Sequence, residues 1–203
     1  FFRLCTTDDM QGPAAALWAK DLGLESVYIV EQNDLFGQGL ATTFRQTAEA
    51  NGIVIVGSAS TEQNQQTGLE EVVAEIIDQQ AGLVYQAGFD GTGIALVRSL
   101  RAEGSETRVM GPTLYTSDLI EEVGADVAEG ALSTFEGVAR EELNQATQDF
   151  IRRFEERFGY ELGGRAFWAA LSYDAMGIAL AAIERAGEAD RAAVLKTMRE
   201  TDY

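Results

Sequence analysis

VYIVEQNDLFGQGLATTF, residues 27–44, is the stretch that decides the fold of this chain. Residues 27–31 are apolar almost throughout, as expected of a parallel strand that is covered on both faces. The polar and glycine-containing residues 32–39 predict a turn at the carboxyl end of that strand. Leu40 and Phe44 begin the apolar spacing of a helix. In open α/β sheets, ligands bind in the crevice beside such turns.

The strand, turn and helix of this stretch recur along the first two thirds of the chain. Strands separated by single helices are typical of right-handed βαβ units in a parallel sheet. We therefore predict an α/β fold with a parallel sheet and helices on both faces. The predicted strands are 1–5, 27–31, 53–56, 83–87, 108–111 and 130–135, and the predicted helices are 10–22, 40–51, 69–77, 94–102 and 119–123.

From residue 142 onward the pattern is almost entirely helical. Apolar spacing predicts helices over 144–158, 165–186 and 190–200, with no strand between them. The middle helix is so rich in apolar residues that we expect it to be buried on more than one side. Because such helices need a sheet to cover, the sequence predicts that a second α/β lobe is only partly represented.

Composition restricts the classes of function. The 203 residues carry a net charge of −18, from 33 acidic and 15 basic residues, so the surface should repel nucleic acids and anionic membranes. The chain has no histidine, and Cys5 is its only cysteine. The commonest general base, the commonest metal ligand and an internal disulfide are therefore lacking. We expect no catalytic residue, metal or cofactor, and a protein that is not an enzyme.

One glycine-rich segment lies where a phosphate-binding loop would lie. Residues 88–93, GFDGTG, follow a predicted strand and precede a predicted helix. Their glycine spacing is the reverse of the dinucleotide fingerprint, which also requires an acidic residue at the end of the next strand. That strand, 108–111, ends in Gly-Pro. An α/β enzyme that uses a nucleotide is therefore disfavoured.

Several motifs in order along the chain resemble those of one family, the substrate-binding proteins of branched-chain amino acid (leucine/isoleucine/valine) ABC transporters. The resemblance covers essentially the whole chain and implies the type I periplasmic binding protein fold. The motifs are Phe2-Arg3 with Gln11-Gly12-Pro13, residues 27–30 with Phe36-Gly37-Gln38-Gly39-Leu40-Ala41, Val84-Tyr85-Gln86-Ala87-Gly88-Phe89, Met110-Gly111-Pro112, Ala128-Glu129-Gly130 and Tyr173-Asp174-Ala175.

The resemblance implies two hinged lobes, joined by crossing segments, that close on a small ligand and present it to a membrane permease. Residues 1–5 would end the first lobe and begin the first crossing, and residues 6–133 would form a complete ligand-binding lobe. Residues 134–140 would be another crossing, and residues 141–203 the helical part of the other, truncated lobe, so that this sequence contains half of a binding site. Such a protein is expected in the periplasm or outside the cell, with a lipid anchor as one form.

The resemblance also assigns candidate ligand-binding residues. Phe36 and Phe89 take the positions of two aromatic walls, which suit an apolar or planar ligand. The alternative for Phe36 is a hydrophobic plug that fixes the turn to the helix beneath it. Asp90 follows the second aromatic residue, and Tyr115 is an additional candidate contact.

Thr113 bears most directly on the class of ligand. In amino-acid-binding relatives the position just after Gly-Pro commonly carries an acidic residue that pairs with the ligand's ammonium group, since a buried cation needs a compensating charge. Thr113 is neutral. Asp90 or Asp118 could take that role, although Asp118 is equally suited to cap a short helix. The ligand is therefore predicted to be an amino acid, an aromatic or aliphatic acid, or an amide.

Three classes of function follow from these observations. The first is a solute-binding receptor of an ABC transporter, in which ligand shifts a hinge equilibrium. The second is a ligand-sensing effector domain of a transcription regulator or signalling receptor with the same fold. The third is the nucleotide-dependent enzyme disfavoured above. We also expect the fragment to self-associate through an uncovered helix face around Phe167, Trp168 and Leu171.

Overall fold

The computed structural model describes residues 2–112, 114, 116–135, 137 and 142–201. These residues fall into two compact units. One is Thr6–Glu136, and the other combines Phe1–Cys5 with Gly137–Tyr203. The assignment of these segments to lobes and crossings remains a prediction.

In its described residues, the larger unit contains a five-stranded parallel sheet. The α/β fold and parallel sheet predicted from the sequence are confirmed. Its elements are α1 (Asp8–Asp21), β1 (Ser26–Gln32), α2 (Leu35–Ala50), β2 (Val54–Thr61), α3 (Glu70–Asp78), β3 (Leu83–Ala87), α4 (Asp90–Ala102), β4 (Arg108–Gly111), α5 (Thr116–Val123), α6 (Ala125–Ala128) and β5 (Leu132–Ser133). The strand order in the sheet is β2-β1-β3-β4-β5.

Helices cover both faces of this sheet. Ile29 and Tyr85 belong to a core shared with α1 and α2, whereas Val30 and Val84 belong to the core shared with α3 and α4. Alternate residues of one strand therefore enter different cores, as the two-residue period of a strand requires. This double burial explains why the central strands are apolar on both sides.

The edges of the sheet differ most from the sequence prediction. The strands β3 and β4 have their predicted bounds, but β2 extends to Thr61 and β5 is only two residues long. The predicted strand at residues 1–5 is wrong for its described part, since residues 2–5 pair with no described strand. An edge strand has a partner on one side only, so its length depends on that partner more than on its own apolar pattern.

Two helices, α2 and α4, begin four or five residues earlier than predicted. The helix α2 begins at Leu35 because the Asp34 side chain accepts a hydrogen bond from Gly37 N at 2.8 Å and caps the helix. The predicted turn over residues 32–39 is therefore too long. Likewise α4 begins at Asp90, which leaves residues 88–89 as the loop before it.

The smaller unit consists of α7 (Gln145–Phe158), a 3₁₀ turn (Gly163–Arg165), α8 (Ala166–Ala186) and α9 (Arg191–Arg199). Asn144 and Asp190 cap α7 and α9 through side-chain oxygens. The expectation that α8 is buried on more than one side is wrong for this unit, because the buried residues of that helix are three alanines: Ala166, Ala170 and Ala182.

The exposed apolar face of α8 also differs from the predicted one. Phe167, Trp168 and Leu171 are partly buried. The face that the described residues leave uncovered consists of Tyr173, Met176, Leu180 and Ile183. By length and composition alone, Gly163–Ala186 could also cross a membrane, a property shared by many helices of protein cores.

Candidate ligand-binding site

The strand order defines a crevice at the carboxyl ends of β1 and β3. The strand β1 lies between β2 and β3, so the chain leaves β1 toward one side of the sheet and returns through β3 on the other. The connections that follow β1 and β3 therefore diverge, which opens a crevice at this switch point. Both stretches that the sequence predicted to carry aromatic walls follow these two strands.

Phe36 and Phe89 meet at this point. Phe36 lies in the first turn of α2, and Phe89 immediately precedes α4. Their ring centroids are 5.3 Å apart with an interplanar angle of 26°, a stacked pair, and both residues are partly buried. The structure thus brings together two predicted site residues that are distant in sequence. Two stacked rings present an apolar, planar surface with no hydrogen-bonding group.

The first turn of α2 lies close to the end of β3. A Cβ atom at Gly37 would be 2.8 Å from Ala87 O and closer still to Gln32 O. Only a glycine fits at that distance. The close approach fixes where the helix starts and, with it, the position of Phe36.

Two buried glutamines hold the loop that contains Phe89. The Gln86 side-chain amide donates to Phe89 O at 3.2 Å, and Phe89 N donates to Gln32 Oε1 at 3.4 Å. Each glutamine is 1% exposed. Neither residue was predicted from the sequence to belong to the site. The available signal was a polar residue within or at the end of a strand that is otherwise fully apolar.

Asp90 is the first residue of α4. Its Oδ1 accepts a hydrogen bond from Gly91 N at 3.1 Å, and Asn64 Oδ1 accepts from the same nitrogen at 3.1 Å. Asn64 has a φ of 54°, a conformation that asparagine tolerates better than most residues. A carboxylate here is stabilised by the positive end of the helix dipole. The loop after β2 therefore joins the loop after β3 at this edge.

The other predicted site residues are placed less fully. Thr113 and Tyr115 lie outside the described residues, so their predicted roles stay predictions. The helix α5 begins at Thr116, so Asp118 lies within its first turn and is not its N-cap. Between the two undescribed positions Leu114 is 2% exposed and belongs to the core shared with α3 and α4.

Neither Phe36 nor Phe89 is among the residues that line two grooves in the described part of the chain. One, of about 550 Å³, is lined by residues of α7 and α8 that include Phe150 and Tyr173. The other, of about 320 Å³, is lined by residues of α3 and α4 that include Val73 and Ser99. The described residues contain no group of three or more histidine, cysteine, aspartate or glutamate residues that could hold a metal ion.

Comparison with known proteins gives a consistent result over the whole chain. The family described as periplasmic binding protein matches residues 1–203. The leucine-, isoleucine-, valine-, threonine-, and alanine-binding protein of Pseudomonas aeruginosa is 24% identical, over 100% of this chain and 53% of that protein. The chain therefore spans about half the length of this curated relative.

Many solved structures resemble the chain, and two of them are described next. The leucine-binding protein of Thermotoga maritima gives a TM-score of 0.83 at 25% identity, covering 98% of this chain and 56% of that one. A solute-binding protein of an R. palustris ABC transporter, in complex with benzoate, gives a TM-score of 0.77 at 18% identity, covering 97% and 52%. The second likeness concerns the fold alone.

The chain belongs to the periplasmic binding protein family. The resemblance to the branched-chain amino acid type of ABC transporter binding protein, predicted from the sequence, is confirmed. This family consists of binding proteins rather than enzymes, and its name places its members in the periplasm.

Proposed function

We propose that this chain supplies one ligand-binding lobe of a solute-binding receptor, which captures a small organic ligand and presents it to the permease of an ABC transporter. Phe36 and Phe89 form the aromatic wall of its ligand-binding surface, and Asp90, Thr113 and Tyr115 are further candidate contacts with the ligand. The stacked aromatic pair at the switch point is the observation that carries the proposal.

The chemistry of the pair favours a ligand with an apolar or planar part. Neither ring carries a hydroxyl group, so this wall offers no hydrogen bond to a polar ligand group. The names of the relatives are compatible with this, since one binds leucine and a structural neighbour was solved with benzoate. The proposed ligand is therefore an amino acid with an apolar side chain, an aromatic or aliphatic acid, or an amide.

A thermal-shift assay on the full-length protein tests the proposal. Branched-chain amino acids, aromatic and aliphatic acids, and amides are compared, and one class is expected to raise the melting temperature by mass action. Phe89→Ala and Phe36→Ala should each weaken binding at least about tenfold, since aromatic anchors dominate such contacts. Leu35→Ala is the matched control, because Leu35 neighbours Phe36 but is 89% exposed.

Two outcomes would contradict this proposal, the first for the receptor function and the second for the Phe36–Phe89 wall. One is stabilisation only by dinucleotides or phosphorylated compounds, which would favour the nucleotide enzyme. The other is full ligand affinity in both phenylalanine variants, which would place the binding wall elsewhere in the protein.

Position 113 provides a separate test of the class of ligand. If the neutral Thr113 disfavours amino acids, Thr113→Glu should strengthen binding of amino acids relative to the matching carboxylic acids, because it supplies a partner for the ammonium group. Isothermal titration with leucine and with 4-methylpentanoate measures this ratio. An unchanged ratio would remove Thr113 from the determinants of specificity.

Hinge closure and the permease complete the proposed function. Ligand that bridges two lobes stabilises the closed form and shifts the equilibrium that the permease senses. We place the protein in the periplasm or outside the cell, with lipid anchoring as one form. A regulator's effector domain, the second class considered from the sequence, finds no counterpart among the relatives described above.

We further propose that residues 1–203, produced on their own, self-associate through the apolar face of α8. That face consists of Tyr173, Met176, Leu180 and Ile183, spaced at helical intervals along one side. Contiguous exposed apolar residues of this kind are typical of contact surfaces.

A further inference from the structure

Gln32 is the last residue of β1 and Gln86 the penultimate residue of β3, the two strands that flank the crevice, and their side chains lie on the same face of the sheet. Gln86 pairs with Val30 across the parallel ladder, and Gln32 lies two residues beyond Val30 in the same strand. Because side chains alternate between faces, both glutamines point to the side that α3 and α4 cover. Each is 1% exposed, so the side-chain amide of each depends on partners within the protein; Gln86 bonds through Nε2, and its Oε1 has no partner among the described residues.

The partners of Gln32 connect the two aromatic residues. Its Oε1 accepts from Phe89 N at 3.4 Å, and its Nε2 donates to Asp34 Oδ2 at 2.5 Å. The other oxygen of Asp34 caps α2 at Gly37 N, one residue after Phe36. A side-chain amide is required for this bridge, since it must accept from a backbone N–H and donate to a carboxylate at once.

Gln86 provides the second hydrogen bond to the backbone of Phe89. Its Nε2 donates to Phe89 O at 3.2 Å, so that both backbone groups of Phe89 are bonded to buried glutamines. Gly88 allows this approach: a Cβ atom there would lie 2.8 Å from Gln32 Cβ and 2.8 Å from Gln86 Nε2. The loop before α4 therefore has its position fixed by the two strands rather than by its own sequence.

We propose that Gln32 and Gln86 are positioning residues, which hold the Phe89 backbone and the α2 cap so that the Phe36–Phe89 stack exists before a ligand arrives. They act through the aromatic pair and do not touch the ligand. Fixing a binding wall in advance strengthens binding, because the ligand does not have to order it. The inference rests on the proposed function for its effect on affinity, but not for its effect on the geometry of the free protein.

The first experiment is NMR on the full-length protein without ligand. Gln32→Met and Gln86→Met keep side-chain volume but remove the hydrogen bonds. In Gln32→Met we expect the Phe89 amide to exchange at least about tenfold faster and the ring-to-ring nuclear Overhauser effects between Phe36 and Phe89 to weaken. The amide of Ile29, in the core of β1, should keep its exchange rate. Gln38→Met is the matched control, because the Gln38 side chain is exposed and, among the described residues, hydrogen-bonds the side chain of Asn33 rather than the Phe89 loop.

Gln32→Glu separates the two halves of the bridge. A carboxylate at residue 32 can still accept from Phe89 N but cannot donate to Asp34. We therefore expect protection of the Phe89 amide to survive while the amide of Gly37 exchanges faster. A purely structural role would change the exchange rates of the Phe89 and Gly37 amides together.

The second experiment measures affinity with L-leucine and benzoate as probes. Whichever of them stabilises the wild type should bind Gln32→Met and Gln86→Met at least about tenfold more weakly, and Gln38→Met with unchanged affinity.

The inference is overturned if the Phe89 amide and the ring contacts of both methionine variants match the wild type. It is also overturned if Ile29 loses protection in parallel, which would make the glutamines general determinants of stability. If neither probe binds, leucine and benzoate are excluded as ligands, and the exchange data still decide the positioning role.

Discussion

Tyr28 is a phenol enclosed in the core of the sheet. It is fully buried in β1, and its hydroxyl donates to Glu75 Oε2 on α3 at 2.8 Å. Burial, together with the hydrogen bond and the negative charge of Glu75, raises the pKa of Tyr28 above the ordinary value of 10.0. The folded protein therefore keeps this proton at a pH where the unfolded chain releases it.

This difference predicts that stability falls above about pH 10. In that range the folded state binds one more proton than the unfolded state, so the free energy of unfolding drops by about 1.4 kcal/mol per pH unit for this group. Tyr28→Phe lacks the group and should be less stable at pH 8 by about 1 kcal/mol, from the lost hydrogen bond.

Urea unfolding at pH 8, 9, 10 and 11 measures both effects. The stability advantage of the wild type over Tyr28→Phe should shrink above pH 10. An advantage that stayed constant across this range would contradict the raised pKa.

Gly57 lies against the same ring. It pairs with Tyr28 across the sheet, and a Cβ atom there would overlap Tyr28 Cε2 and lie 2.8 Å from Cδ2. Gly57→Ala should therefore destabilise the protein by about 1–3 kcal/mol, the usual cost of overpacking. Ser58→Ala, at the exposed neighbouring position, should change stability little. Equal melting temperatures for the two variants would contradict the contact.

At the scale of elements, α1 and α2 approach each other through Gly12. A Cβ atom there would overlap Thr43 Oγ1 and lie 2.9 Å from Phe44 N and 3.0 Å from Leu40 O. Thr43 Oγ1 also bonds Asp8 O at 3.0 Å, so it joins the two helices directly. The residues of α1 that share this contact are the small, buried Ala15, Ala16 and Ala19.

Gly12→Ala is expected to cost about 1–3 kcal/mol because two of the three contacts are with backbone, which cannot move aside alone. Adding Thr43→Ala should recover only part of the loss, since the overlap with Phe44 N and Leu40 O remains. Chemical denaturation of the single and double variants measures this coupling. Full recovery in the double variant would mean that the hydroxyl group alone sets the helix separation.

The bounds of strands and helices show what sequence patterns can and cannot predict. The strands β3 and β4 were predicted with their observed bounds because their apolar runs are short and end at polar or glycine residues. The start of α2 was predicted five residues late, because Gly37 and Gly39 disfavour a helix by propensity. The Asp34 cap and the close approach of the first turn to Ala87 O outweigh that propensity, and the second of these is invisible in local sequence.

At the scale of the whole molecule, the order of strands in the sheet determines which residues meet at the candidate site. The sequence predicted a parallel sheet and two aromatic positions, but periodicity does not reveal which strands are neighbours. The adjacency of β1 and β3 brings Phe36 and Phe89 to 5.3 Å. It also brings Gln32 toward the Phe89 loop, an interaction between residues 57 positions apart that no local motif signals.

The apolar face of α8 leads to a prediction about assembly. Met176 is 60% exposed and Leu180 58%, so the isolated 1–203 chain should form dimers or larger species whose mass rises with concentration. The double variant Met176→Glu/Leu180→Glu should shift it toward a monomer of 22.0 kDa. Ala175→Glu adds charge at an exposed position of the same helix off this face and serves as the control.

Multi-angle light scattering provides the measurement. A wild-type chain that is monomeric at all concentrations would contradict the prediction. So would an Ala175→Glu variant that dissociates as readily as the double variant, because charge alone would then explain the change.

The Phe36–Phe89 stack also has a calorimetric consequence. Each ring already shields part of the other from water, so a ligand that settles against the pair removes less aromatic surface from water than it would against two separately hydrated rings. The heat-capacity change of binding is negative in proportion to the apolar surface that becomes buried. Capture by this wall should therefore show a smaller negative heat-capacity change than the contact area of the two phenylalanines would suggest.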